Sequence, residues 1–272
     1  MIKLKLAYQT NTWGGVVGHP GGVTSIKDSY YLTHGSTEEA FKDISESGYK
    51  GIEIFEGNLM AYDAEDFKKL LTQYNLEFVG VYTGANFIYS EILPEELEKI
   101  ETVAKRAAEL GCIHLVVGGG AIRSTGIQEN DYEKLADGLN KVIKIANKYG
   151  LVPHYHPHLG SLGESPEQIE KIFSLTDINF CPDTAHLEAG GGNPAELMKK
   201  YKDRLKYVHF KDLEGTNFLP LGEGKQSFSA MMNVLNEIDF DGWITVELDA
   251  FDDPKKGAQI SKDYLKNQFN LI

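Results

Sequence analysis

Only two cysteines occur in the 272 residues, Cys112 and Cys181, which excludes a dense disulfide framework and fits a reducing compartment. Both lie in strand-like stretches, where a buried free thiol is the expected role rather than a nucleophile. Positive charge is also scarce. The 27 lysines and arginines face 40 aspartates and glutamates, and the formal charge of -13 argues against broad nucleic-acid affinity. No apolar run approaches the ~20 residues needed to cross a bilayer. The start, MIKLKLAYQTNTWGG, turns polar too soon for a signal peptide, so a cytoplasmic protein is expected. Gly118-Gly119-Gly120 and Gly190-Gly191-Gly192 allow tight loops, yet neither has the spacing of a dinucleotide fingerprint or of a phosphate loop with its lysine. No nicotinamide or nucleotide cofactor is expected.

What is present is a repeating pattern. A hydrophobic content of 42% is enough for a substantial core. Short strand-like segments recur near residues 3–9, 51–55, 76–82, 113–117, 151–155, 178–182, 206–210 and 243–248. Helical patterns fall near 37–47, 64–74, 94–109, 130–149, 165–174, 193–201, 227–238 and 254–267, with apolar residues at helical spacing as in Leu97, Ile100, Ala104 and Ala108. This alternation predicts an α/β fold of the (β/α)8 TIM-barrel type, with residues 1–272 forming one domain. Ser165-Pro166-Glu167-Gln168, Asn193-Pro194-Ala195-Glu196 and Asp253-Pro254 read as helix starts. Gly48, Gly111 and Gly150 read as helix ends. Residues 14–36, rich in glycine and aromatics, read as a long loop over the barrel mouth.

Four successive strand-like segments end in a histidine or a carboxylate: His156 in LVPHYHPH, Asp183 in INFCPDTAH, His209 in LKYVHFKD and Glu247 in WITVELD. In a parallel barrel these ends share one rim, where active sites form, and two imidazoles with two carboxylates make a divalent-metal shell. His154, His156 and His158 alternate, so a strand points them to one side. His156 is the expected ligand; His154 would orient the ligands, and His158 would reach substrate from the following loop.

Other positions carry more than one reading each. His186 approaches the same site or makes loop hydrogen bonds. Lys211 stabilises an oxyanion or phosphate, or forms a surface ion pair with Asp212. Glu53 in GIEIFEG binds hydroxyls, supports proton transfer, or is a structural ion-pair residue. Trp13, Tyr30, Tyr31, Tyr82, Phe87 and Tyr89 line a sugar pocket or pack the barrel mouth; Trp13 and Tyr82 are the substrate-side candidates.

In YHPHLG at 155–160, PDTAHLEAGG at 182–191, VHFKD at 208–212 and VELD at 246–249, the chain resembles the xylose-isomerase-like family of metal-dependent sugar isomerases, epimerases and inosose dehydratases. The resemblance spans nearly the whole chain. It implies that His156, Asp183, His209 and Glu247 bind one ion, Mn²⁺ by preference, with Co²⁺, Mg²⁺ or Zn²⁺ also compatible, and that His186 stands beside it. It further implies a small-molecule keto sugar or cyclic polyol as substrate, with no nucleic-acid or membrane partner; a homo-oligomer is compatible. Many isomerase and epimerase members carry a glutamate where His156 stands, and the histidine-rich stretch is closer to the inosose dehydratase branch. The expectation is therefore a lyase eliminating water or an aglycone from a cyclic keto-polyol or 3-keto sugar through an enediolate. Glu247 would serve as base, His186 or His158 as acid, and Lys211 as a catalytic cation. Keto-sugar isomerisation or epimerisation is the alternative, a metal-dependent nuclease is disfavoured by the charge, and a non-enzymatic polyol-binding protein ranks lower.

Overall fold

Short segments rich in β-branched and aromatic residues form eight parallel barrel strands: Lys5–Gln9, Gly51–Phe55, Glu77–Ala85, His114–Gly119, Val152–Tyr155, Asn179–Phe180, Tyr207–Phe210 and Trp243–Val246. The computed structural model describes residues 4–17 and 26–271. From the first to the sixth each strand pairs with the next, the seventh pairs with the eighth, and the eighth pairs with the first through Lys5↔Trp243 to Tyr8↔Val246. The seam between the sixth and seventh strands closes by two isolated parallel bridges, Phe180↔Leu205 and Asp183↔His209. This is the predicted (β/α)8 barrel. The sixth strand is shorter than expected; Pro182, two residues past its end, lacks the N–H that a continued ladder would use.

Strands buried on both faces explain the near-continuous apolar runs; every residue of Gly51–Phe55 is buried. Side chains then alternate between two cores. Ala7, Val79, Val116, Cys181, Tyr207 and Trp243 make a small cluster, with Tyr82 against it. A far larger one, including Ile52, Ile54, Val81 and Val117, packs beneath the helices.

The helices form where the apolar spacing placed them. In Leu93–Glu109 the buried face includes Ile100, Val103, Ala104 and Ala107, and a buried aliphatic side chain contributes roughly 1.5–3 kcal/mol. Ser165 and Gln168 complete a reciprocal capping box, with Pro166 in the first turn. Asn193 accepts from the Glu196 amide and Asp253 from the Lys256 amide. Gly150 ends Asp131–Tyr149 in the left-handed region, φ 74, which a side chain would resist.

Two short helices directly after strand ends, Glu56–Met60 and Thr184–Ala189, were not legible, because a single turn or two shows no periodicity. Two small hairpins, Val16–Val17 with Leu32–Thr33 and Asp212–Glu214 with Asn217–Leu219, lie outside the barrel sheet. Of the predicted mouth loop 14–36, residues 18–25 lie outside the described residues. No helix among the described residues is long and apolar enough to cross a membrane.

Candidate metal centre

His156 follows the fifth strand, Asp183 the sixth and Glu247 the eighth, while His209 lies in the seventh. One ligand atom from each falls within 4.8 Å of the others. All four are buried. His156 Nε2 lies 3.7 Å from Asp183 Oδ2 and 3.9 Å from Glu247 Oε2, too far for hydrogen bonds. Neither His156 nitrogen nor Asp183 Oδ2 has a hydrogen-bond partner. Each buried polar atom left alone costs about 1–3 kcal/mol. Their convergence, from two imidazoles and two carboxylates, therefore fits a divalent cation.

The surroundings orient these ligands. Asp183 caps Thr184–Ala189: its Oδ1 accepts from the amides of Ala185 and His186, both at 2.9 Å, which leaves Oδ2 to face the cluster. His209 sits between two carboxylates, with Nδ1 2.7 Å from Glu247 Oε2 and Nε2 3.0 Å from Glu53 Oε2. Glu53 thus stands behind His209. A proton shared with Glu53 fixes the ring and would leave Nδ1, on the Glu247 side, as the atom available to an ion.

Lys211 is fully buried, which removes the surface-pair reading. Two residues beyond His209, its Nζ lies 3.0 Å from Glu247 Oε1, 2.6 Å from Asp249 Oδ1, 3.8 Å from Asp183 Oδ2 and 3.3 Å from His186 Nε2. Burial works against its charge, but Glu247, Asp183 and Asp249 hold its pKa well above the ordinary lysine value. Burial likewise opposes ionisation of Glu247, yet Lys211, His209 and His156 keep its pKa well below the usual range. Asp183 is also lowered, His186 and Lys211 overcoming its burial. His209 is raised well above 6.5: desolvation disfavours its charge, and Cys181, Glu53 and Glu247 outweigh that. Three carboxylates around one ammonium leave excess negative charge that a divalent ion would offset.

A cavity of about 580 Å³ opens onto this cluster, within the range of small-molecule sites. Tyr31, Phe55 and Tyr82 give it an aromatic side; Gly119, Gly120, Gly160 and Ser161 contribute backbone and a hydroxyl; His156, His158, Glu247 and Asp249 supply the titratable groups. Tyr82 meets the His156 ring edge-on at 5.6 Å. Its hydroxyl lies where a Gly118 side chain would be, so Gly118→Ala would force it out.

The two remaining histidine candidates separate. His158 lines the cavity, and its Nδ1 donates to the Leu159 carbonyl at 2.7 Å, which leaves Nε2 as an acceptor. Burial, then His156, holds its pKa below 6.5. His186 is packed behind it, ring centroids 3.8 Å apart, and burial lowers its pKa to about 3.

Two candidates stand elsewhere. His154 lies one strand repeat below His156, bonded to His114 at 2.9 Å and close to Tyr207 inside the barrel. Trp13 is buried against Tyr8 with its indole N–H on Asp43, outside the cavity lining. Among the mouth aromatics, Phe87 is buried and Tyr89 lies under Arg123. The sequence reading did not single out Asn11, whose amide donates to Glu247 and Asp249, or Asp249 itself. The signal for Asp249 was the same alternation that exposed His156: it lies two residues beyond Glu247.

The family model for the xylose isomerase-like TIM barrel matches residues 41–268. An inosose dehydratase of Geobacillus kaustophilus is 30% identical over 271 residues, covering 85% of this chain and 87% of that protein. Two solved structures share the fold at low identity. The probable 3-DHS dehydratase of petrobactin synthesis from Bacillus anthracis has a TM-score of 0.78 at 15% identity, covering 97% of this chain and 100% of its own. The 3-keto-D-glucoside 4-epimerase of E. coli has a TM-score of 0.75 at 19% identity, with the same coverage of 97% and 100%.

Proposed function

This chain belongs to the xylose isomerase-like TIM barrel family, and from that premise we propose that it is a divalent-metal-dependent lyase that dehydrates a cyclic keto-polyol. The observation that carries the reading is the partner of Glu247 across the cluster. It is an imidazole, His156, at 3.9 Å, with a second imidazole, His158, in the adjoining cavity wall. A reaction that swaps protons between two carboxylates finds, among the described residues, an imidazole rather than a carboxylate at the His156 position. The inosose dehydratase name of the relative at 30% identity supports the same choice.

His156, Asp183, His209 and Glu247 would hold the ion, with Mn²⁺ the preferred assignment. When bound, a divalent ion supplies Lewis-acid polarisation of a carbonyl or hydroxyl oxygen. Glu247 is engaged by Lys211, Asn11 and His209, so its part is to hold charge in place. His158 carries the proton. Neutral at neutral pH, its Nε2 takes the hydrogen on the carbon next to the ketone; the electron pair forms the new C=C bond as the C–O bond one carbon further breaks. The same proton then leaves with the departing hydroxyl as water. Burial, with Lys211 behind it, keeps His186 neutral, and Lys211 helps keep the carboxylates ionised.

Epimerisation is the second reading, favoured by the placement of Glu247 and His158 in one cavity, where each could serve one face of a substrate carbon. Inososes, 3-keto-glucosides and open-chain ketoses incubated in D₂O and followed by mass and proton NMR separate the two. Lyase action gives an unsaturated ketone or diketone with loss of water or an aglycone. No loss of water or aglycone, with one deuterium gained at a carbon, replaces it by isomerase or epimerase action, and a bound polyol with no exchange at any carbon replaces both by a binding protein.

A further inference from the structure

We propose that a buried ion pair, Glu56 with Lys99, is a clasp that holds Tyr31 as the outer aromatic wall of the substrate cavity, and that Tyr31 thereby sets affinity for a ring-shaped polyol. The second half rests on the functional reading above. Glu56 and Lys99 take no part in the proposed chemistry, and their side chains are 0% and 4% exposed. A buried pair is retained only when its remaining hydrogen-bonding groups are met. Here they are. The three protons of Lys99 Nζ go to Glu56 Oε1 at 3.0 Å, the Gly84 carbonyl at 2.8 Å and the Ser29 carbonyl at 3.1 Å. Glu56 Oε1 also accepts from the Tyr31 amide at 3.0 Å, and Oε2 accepts from the Thr83 hydroxyl.

The partners show what is joined. Gly84 and Thr83 belong to the third barrel strand, and Glu56 directly follows the second; Ser29 and Tyr31 lie in the irregular stretch just before Leu32–Thr33. The Gly57 amide adds a bond to the Tyr31 carbonyl at 2.8 Å. Asn58 pairs with both backbone groups of Thr33. The Tyr31 ring rests on bare backbone: a Cβ at Gly84 would stand 2.9 Å from its Cε2. So held, the ring meets Tyr82 edge-on at 6.0 Å, Tyr82 meets His156, and the wall continues to Phe55. Tyr31 nonetheless remains 44% exposed while lining the cavity. An aromatic face fixed at a cavity mouth suits the C–H face of a ring, and fixing it in advance removes an ordering cost from binding.

Two measurements on the full-length protein test the halves separately. Hydrogen exchange reads the clasp without any substrate. The Tyr31 and Gly57 amides of the wild type should be protected, and Lys99→Met and Glu56→Gln should each speed their exchange by at least about tenfold relative to amides of the barrel strands. Unprotected Tyr31 in the wild type, or unchanged exchange in both variants, overturns the clasp. Tyr31→Ala, at a half-exposed position that should fold even if the clasp variants do not, reads the wall. With an inosose, KM should rise about tenfold while kcat falls no more than about threefold, Tyr31→Phe should restore KM, and the Kd for myo-inositol should rise in parallel. Unchanged KM and Kd in Tyr31→Ala overturn the wall. A wild type that neither binds myo-inositol nor turns over an inosose removes the functional reading and the wall with it, while the exchange result still decides the clasp.

Discussion

Lys211→Met puts the electrostatics of the centre to a quantitative test. The methionine keeps the length of the side chain beside Phe218, which the ammonium faces at 4.3 Å, so the main loss is charge. Glu247 and Asp183, both buried, then face each other without that charge, and breaking a buried pair by removing one partner costs about 3–5 kcal/mol. The share from Asp249 is smaller, because 43% of its side chain is exposed and water screens it. At roughly 2–4 °C per kcal/mol for a chain of this size, the metal-free variant should melt about 6–20 °C below wild type at neutral pH. The pH dependence has a definite sign. In wild type, Glu247 and Asp183 have depressed pKa values, so the stability they contribute is present above the unfolded carboxylate pKa and is lost as pH falls through the folded one. Without Lys211 much of that depression is relieved, so the gap between variant and wild type should hold near neutral pH and narrow as pH is lowered through the ordinary carboxylate range, from about 5 downward. Added Mn²⁺ should also raise the variant's Tm more than the wild type's, because the ion replaces the missing charge. Thermal unfolding in chelator, followed by circular dichroism across that pH range, is the assay. A variant within about 1 kcal/mol of wild type at pH 7 would refute the role given to Lys211.

The same geometry sets further expectations. Ion binding should release about one proton per site at neutral pH, because His209 is held charged and must give up its Nδ1 proton to coordinate; calorimetry in buffers of different ionisation heat reads this, and zero release contradicts it. Glu53→Gln should weaken metal affinity by about 10–100-fold with the fold intact, since Glu53 orients His209; unchanged affinity would return Glu53 to a purely structural part. His158→Gln should lower kcat by about 10²–10⁴-fold while bound metal stays at wild-type level, and a loss under about tenfold in steady-state turnover would remove His158 as proton carrier.

Much of the barrel could be read from the chain because strands buried on both faces leave continuous apolar runs, while helices leave spaced ones. The four residues of the buried cluster were legible for a related reason: a polar residue ending an apolar strand needs a partner, and four consecutive strands ended that way. Alternation gave the side of the strand but not the depth. His154 and His156 point to the same side, yet one strand repeat, about 6.8 Å, drops His154 into the barrel interior beside His114. Lys211 and Asp249 obey the same two-residue rule from His209 and Glu247, so their inward direction was available in the sequence; the burial of Lys211 was not, because it depends on the hairpin that sets Phe218 beside its ammonium. Trp13 follows a strand end too, but the chain turns there and sends the indole to Asp43. Glu56 and Lys99 lie 43 positions apart on different elements, and no periodicity connects them before the fold does.

The most direct test of the account is reconstitution. Protein stripped with a chelator and then titrated with Mn²⁺ is incubated with an inosose, and product mass is followed by mass spectrometry alongside bound metal. The account predicts no turnover without metal, one ion per chain at saturation, and a product lighter than substrate by one water in proportion to the metal bound. Full turnover by the stripped protein, or conversion with no change in mass at full metal occupancy, would contradict it.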